Sequence, residues 1–284
     1  MLMGGGKDLD PAFQWMCQRS GGGDFLVLRA TGTDAYNPYI RDLCKVNSVA
    51  TLIIPNRAAA GEKEVAETIR NAEAIFIAGG DQANYVKFWK GTPVQDAVND
   101  AIARGVPVGG TSAGLAVLGE IVFGALEDTA YSKVTLANPF DKTVTLVRDF
   151  LRVPNMKGII TDTHFVTRDR QGRLLTFMAR ALQDGWVDQV RAIGIDERTA
   201  VAVEPDGWSA VLGAGAAYFY RTTQAPSNCE AGKPLSFPGI TVVKATADNT
   251  TFNLASWTGN GGISYTLSVV DGVVKSTQPG GAVY

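Results

Sequence analysis

Ser112 stands in "GVPVGGTSAGLAVLGE" between Gly110 and Gly114, and His164 is the single histidine of the chain. A hydroxyl and an imidazole are the parts of nucleophilic catalysis: the serine oxygen attacks a carbonyl once the ring takes its proton. The G-x-S-x-G spacing, after an apolar run and before a helix-like one, fits a sharp strand-to-helix turn that exposes the hydroxyl at a sheet edge. Small neighbours let a substrate carbonyl approach backbone N–H groups, and a helix start favours the negative charge of an oxyanion. The same glycines suit a tight packing corner, and the local pattern alone serves both readings.

His164 follows "GIIT", which places it just past the carboxyl end of a buried parallel strand, the edge where such sheets bind ligands. Another glycine turn, "AGGDQ", ends a strand at that edge. Gly80 there, with Ala113 after the serine, is placed to offer N–H groups to an oxyanion, and Asp81 and Gln82 to reach substrate. In "HFVTRDRQGR", Arg168, Arg170 and Arg173 lie within nine residues of His164. They read either as a solvated helix start or as bidentate donors for the carboxylates of an acidic substrate.

The elements that must position these groups alternate from residue 24 to about 200. "DFLVLRA", "TLIIP", "AIFIAGG", "VPVGG" and "GIITDTH" have strand length. Residues 61–72, 92–105 and 172–185 have helical periodicity, the last closed by Gly185. Strand and helix in alternation predict an α/β fold, a mostly parallel sheet with helices on both faces. Beyond residue 210 only seven charged residues occur, and runs such as "AAYFYR", "ITVVKA" and "YTLSVVDG" read as strands, with Asp271-Gly272 a hairpin turn. Residues 222–284 are therefore expected to form a β-rich extension of one 1–284 domain.

Composition limits the partners. A formal charge of -2 with 19% charged residues and no basic run argues against nucleic acid, and no apolar run has the length of a membrane helix. Cys17, Cys44 and Cys229 allow at most one bridge with one thiol left over, and a lone histidine excludes a His-rich zinc site. "MLMGGG" reads as the last residues of a strand followed by a glycine turn, with the beginning of that strand missing, and the expectation is that an upstream segment such as an export signal has been removed.

Together, "GGDQ" (79–82), "GGTSAG" (109–114) and "DTHFVTRDRQGRL" (162–174) resemble the serine peptidases that include cyanophycinase and the aspartyl dipeptidase peptidase E. Their order and spacing agree with that family from "MGGG" to about residue 220. The resemblance implies a flavodoxin-like or class I glutamine amidotransferase-like fold, Ser112 as nucleophile and His164 as base. It implies Gln82, Asp162, Arg168, Arg170 and Arg173 as the lining that selects aspartyl substrates such as β-aspartyl-arginine isopeptides. It further implies no metal or other cofactor, a homodimer, and an exported protein.

The acid that orients the histidine is expected after the serine, and Glu127 is the first choice, with Asp128 beside it in the same loop. Glu120 is read as helical and structural. Two rival readings remain. An α/β-hydrolase esterase shares the serine turn but carries its histidine near the end of the chain, whereas 120 residues follow His164. A non-catalytic module would use the arginines and glycine turns to hold an aspartyl peptide or another small anion.

Overall fold

Side chains alternate between the two faces of a strand, and in the first half of this chain both sets are apolar, which buries a parallel sheet between two layers. The computed structural model describes residues 1–248 and 250–284. Strands β1 (Leu2–Met3), β2 (Asp24–Arg29), β3 (Ser48–Ile53), β4 (Ala74–Ile77) and β5 (Val108–Thr111) lie in the order β1-β5-β4-β2-β3, all parallel. Phe25 and Val27 of β2 pack towards helices α1 (Asp10–Arg19) and α2 (Tyr36–Leu43). Leu26 and Leu28 pack towards α3 (Arg57–Ala60), α4 (Lys63–Asn71), α5 (Gln82–Trp89) and α6 (Pro93–Ala103). The expected α/β fold is present.

The helices form where the periodicity puts them. In α6, Pro93 opens the first turn and Val94, Ala97, Val98, Ala101 and Ile102 make a buried stripe. After β5 the expectation fails in part: only one helical turn, α7 (Ala113–Ala116), follows the serine. The chain then bends into a small hairpin of β6 (Val122–Phe123) and β7 (Leu146–Val147), with α8 (Ser132–Ala137) between its strands.

A second sheet begins with β8 (Ile159–Asp162). Helix α9 (Gln171–Gln183) carries the chain from β8 to β9 (Val190–Ile195), which pairs with β8 in parallel. "GIITDTH" is thus a buried parallel strand as expected, but not in the sheet of β5. The position on the other side of β1 is taken by β10 (Thr199–Val203), antiparallel to β1 and followed by β11 (Trp208–Gly213). The chain returns to the second sheet with β12 (Ala217–Thr222) and β13 (Phe237–Ala245). It adds β14 (Thr251–Asn253) and β15 (Thr258–Asn260) to the edge of the first, then β16 (Ile263–Val270) and β17 (Val273–Ser276) to the edge of the second. The β-rich C-terminal part is present and is shared between both sheets.

Asp271 and Gly272 both have positive φ, 47° and 77°, and close the β16–β17 hairpin as their sequence predicts. The sheets meet through one continuous core: Ile159, Ile193, Ile195, Ala217 and Phe219 of the second lie with Leu2, Val201, Val211 and Phe252 of the first. Phe219 stacks on Phe252 at 4.0 Å between ring centroids. Cys17 and Cys44 form a disulfide that ties the last turn of α1 to the end of α2, and Cys229 is free and buried.

Candidate functional site

Ser112 sits on a strained turn at the end of β5, with φ 53° and ψ -119°, a region that costs a non-glycine residue about 1–3 kcal/mol. The glycines around it are required by contact. A Cβ on Gly110 would lie 2.5 Å from the carbonyl carbon of Gly114, and one on Gly114 would lie 1.9 Å from the Ile77 carbonyl oxygen. The Ser112 N–H donates to Met3 O at 3.1 Å, which fixes the turn to β1.

His164 follows β8 and is 6% exposed, with φ 47° and its own N–H donating to Gly4 O at 2.8 Å. Its Nε2 lies 2.7 Å from Ser112 Oγ and its Nδ1 lies 2.6 Å from Glu197 Oε1. Hydroxyl, imidazole and carboxylate therefore stand in one hydrogen-bonded line. The glycines of "MGGG" make this approach possible. A Cβ on Gly5 (φ 105°) would come within 2.5 Å of both Cε1 and Nε2 of the ring, and Gly6 packs against the Glu197 side chain.

The carboxylate at the imidazole is Glu197, not Glu127. Glu127 and Asp128 are exposed, and Asp128 accepts from the N–H of its neighbour Thr129. Glu197 belongs to "IDERT", the turn that carries the chain from β9 in the second sheet to β10 in the first. It thus sits where β8 brings in the histidine and β1 brings in its glycines. The available signal was "VRAIGI", an apolar run ending just before two carboxylates, a second strand end pointing to the same edge. Its partner Asp196 is used structurally, accepting from the Val166 and Ala216 N–H groups. Glu120 lies outside any helix and accepts from the Gly158 N–H at 2.5 Å.

The Gly79–Gly80 turn runs beside the serine: a Cβ on Gly79 would lie 3.5 Å from Ser112 Cβ. Gly80 is exposed with φ 150°, and Ala113 is the first residue of α7, where N–H groups have no intrahelical acceptor. Asp81 caps α5 by accepting from the Ala83 N–H, which accounts for it structurally. Gln82, half-buried, lies with Nε2 3.5 Å from Phe123 O.

The three arginines separate. Arg173 is buried and its guanidinium grips Asp162, with Nε donating to Oδ2 at 2.7 Å and Nη2 to Oδ1. It also lies over the Phe123 ring. A buried pair that satisfies itself beneath the site has no donors left to offer, so Arg173 and Asp162 do not line an open surface. Arg170 is 12% exposed; its Nη1 donates to the carbonyl and hydroxyl oxygens of Thr163, each at 2.8 Å, and so braces the residue before His164. Arg168 is exposed beside the histidine. The tail supports the same loop: the Tyr284 hydroxyl accepts from the Gln171 N–H, donates to Asp169, and its ring meets Phe165 edge-on.

Burial depresses the His164 pKa below the ordinary imidazole value; Glu197 opposes this, and the positive charges of Arg168 and Arg170 add to the depression. The ring is thereby neutral near pH 7, the state in which Nε2 accepts a proton.

The model of Peptidase family S51 matches residues 4–210. The cyanophycinase of Synechococcus elongatus is 30% identical over 230 residues, 76% of this chain and 65% of that protein. That of Trichormus variabilis is 31% identical over 170 residues, 59% of this chain and 51% of that protein. The chain therefore spans less than two thirds of these relatives. A crystal structure of a peptidase from an acI-B1 Actinobacterium superposes with a TM-score of 0.59 at 16% identity, covering 89% of this chain and 95% of that one, a likeness of fold. With a match over more than half of its length, the chain belongs to peptidase family S51.

Proposed function

We propose that the protein is a serine peptidase that hydrolyses peptide bonds next to aspartate, in the manner that the name cyanophycinase gives its relatives. One observation carries this reading: the Ser112–His164–Glu197 line, with contacts of 2.7 and 2.6 Å between three residues distant in sequence. A packing corner has no need of an imidazole at the serine, nor a binding module of a carboxylate behind it. Ser112 Oγ attacks the scissile carbonyl while His164 Nε2 takes its proton and returns it to the leaving amine. Glu197 holds the ring with Nδ1 protonated and stabilises the imidazolium that forms. The N–H groups of Ala113 and Gly80 receive the oxyanion, each contributing on the order of 3 kcal/mol to the barrier reduction. Water then resolves the acyl-enzyme.

For the aspartyl carboxylate, Arg168 and the exposed part of Arg170, with Gln82, are the groups in position; Asp162 and Arg173 hold the floor beneath them. The Cys17–Cys44 disulfide supports an oxidising compartment, in keeping with export. The test is incubation with insoluble cyanophycin and a panel of α- and β-aspartyl dipeptides, followed by mass spectrometry. Aspartyl products that vanish in Ser112→Ala are expected; hydrolysis within tenfold of wild type in that variant sinks the assignment.

A further inference from the structure

In the second sheet the antiparallel ladder sets Arg191 of β9 directly opposite Arg221 of β12, and Arg221 directly opposite Thr241 of β13. Directly paired residues share a face, so two guanidinium groups and a hydroxyl form one row across three strands. Like charges in that relation repel, and the sheet gains nothing from them. Arg191 is half-buried: it lies over the Trp257 ring at 5.0 Å, and its Nη1 approaches Leu254 O at 3.5 Å. Arg221 is exposed, and among the described residues neither guanidinium pairs with a carboxylate.

A cavity of about 280 Å³ opens at this row, lined by Gln189, Arg221, Thr223, Gln224, Gly239 and Thr241. The guanidinium, the two hydroxyls and the two amides all carry donors, and no carboxylate stands among the described lining. The strand beside it is shaped to fit. The register of β13 against β16 shifts between Phe237 and Ile240, and Gly239 in that irregularity has φ 64°. A Cβ there would collide with the Gln224 amide, so the glycine lets that amide rest on the strand at the cavity wall. Arg191 lies at the start of β9 and Glu197 follows its other end, which sets the row roughly 15–20 Å from the Ser112–His164–Glu197 line.

We propose that this cavity is a binding site for a small oxyanion, phosphate or carboxylate, separate from the serine site, with Arg221 as its principal ligand and Arg191 as the second charge behind it. A guanidinium fork takes two oxygens of either ion, and the threonine hydroxyls and glutamine amides donate to the rest. A bound anion also offsets the repulsion between the two arginines. The inference stands apart from the peptidase reading and holds whether or not the serine is catalytic.

The test is titration of the full chain with inorganic phosphate at low ionic strength, followed by calorimetry and by the NMR shifts of backbone amides, with acetate titrated in parallel. Saturable binding is expected, with the shifts concentrated at Gln189, Thr223, Gln224 and Gly239. Tighter binding of phosphate assigns a phosphate site, and tighter binding of acetate a carboxylate site. Arg221→Gln should weaken the preferred ion at least about tenfold. Arg221→Lys should recover only part of that loss, because an ammonium lacks the fork. Arg168→Gln, beside the serine, should leave binding unchanged. The ion should raise the thermal midpoint of the wild-type protein and not that of Arg221→Gln, whose midpoint without anion shows that it is folded. Failure of both ions to bind saturably, binding that survives Arg221→Gln, or binding lost in Arg168→Gln instead overturns the inference.

Discussion

His164 Nδ1 and Glu197 Oε1 lie 2.6 Å apart across a sequence separation of 33 residues. Removing the Glu197 charge while keeping its shape leaves the imidazole in the wrong tautomer for proton transfer. Glu197→Gln should lower kcat on the order of 10⁴-fold with little change in KM, the scale seen when a triad acid is neutralised. Glu127→Gln, altering an exposed loop, should stay within about twofold. Equal losses in steady-state assays of the two variants would contradict the geometry.

Gly5 combines a positive φ with direct contact to the imidazole face. A methyl group there must displace the ring from Ser112, and a displacement of ~1 Å costs about 10²-fold in rate. Gly5→Ala should therefore lose about that factor or more in kcat, and slow labelling by a serine-directed fluorophosphonate to match. Wild-type labelling rates would place the ring elsewhere.

In the proposed mechanism neutral His164 is the active form, and its pKa lies below the ordinary value, so kcat/KM should rise with pH through an acid limb below about 6.5. Arg168 contributes to that depression. Arg168→Gln takes away one positive neighbour, so the pKa moves up and the acid limb moves to higher pH. Because Arg168 is exposed, ~1 M salt should shrink the difference between variant and wild type. A limb that moves down, or stays put at low salt, contradicts the electrostatic account.

Asp162 and Arg173 are both nearly excluded from water, with side chains 4% and 3% exposed. Arg173→Met removes both direct hydrogen bonds to the buried carboxylate and leaves it only the Arg170 Nη1 3.6 Å away, a loss of about 3–5 kcal/mol in urea denaturation. Arg168→Gln, at the surface, should change stability by no more than about 0.5 kcal/mol. The contrast separates an arginine that holds the floor from one that lies at the surface, although both belong to the same short run of sequence.

The parts of the site legible in the sequence are those where chemistry and local geometry coincide. The Ser112 turn announces itself because only glycine tolerates the approach of Gly110 and Gly114 to neighbouring backbone, and His164 because it ends an apolar strand. Glu197 was hidden for a physical reason: its nearness to the histidine is made by β9 crossing from one sheet to the other, a connection with no local residue signature. Spacing alone favoured Glu127, which follows the serine closely in the sequence but lies exposed in a loop. The arginines mislead in the same way, since a run of three reads as one surface, whereas Arg173 falls on the buried face of α9 and Arg168 on the exposed turn before it. The alternation of strand and helix identified the α/β architecture but not its division into two sheets, because a strand at the end of one sheet and a strand opening another have the same apolar pattern.

Ser112 rides on one sheet, His164 on the other, and Glu197 on the turn that bridges them. In the proposed mechanism the reacting atoms are in register only while the two layers keep their mutual alignment, so turnover would double as a strain gauge for the junction. Mild denaturant that lets the layers slip by a fraction of a side chain should silence the hydroxyl while circular dichroism still records every helix and strand.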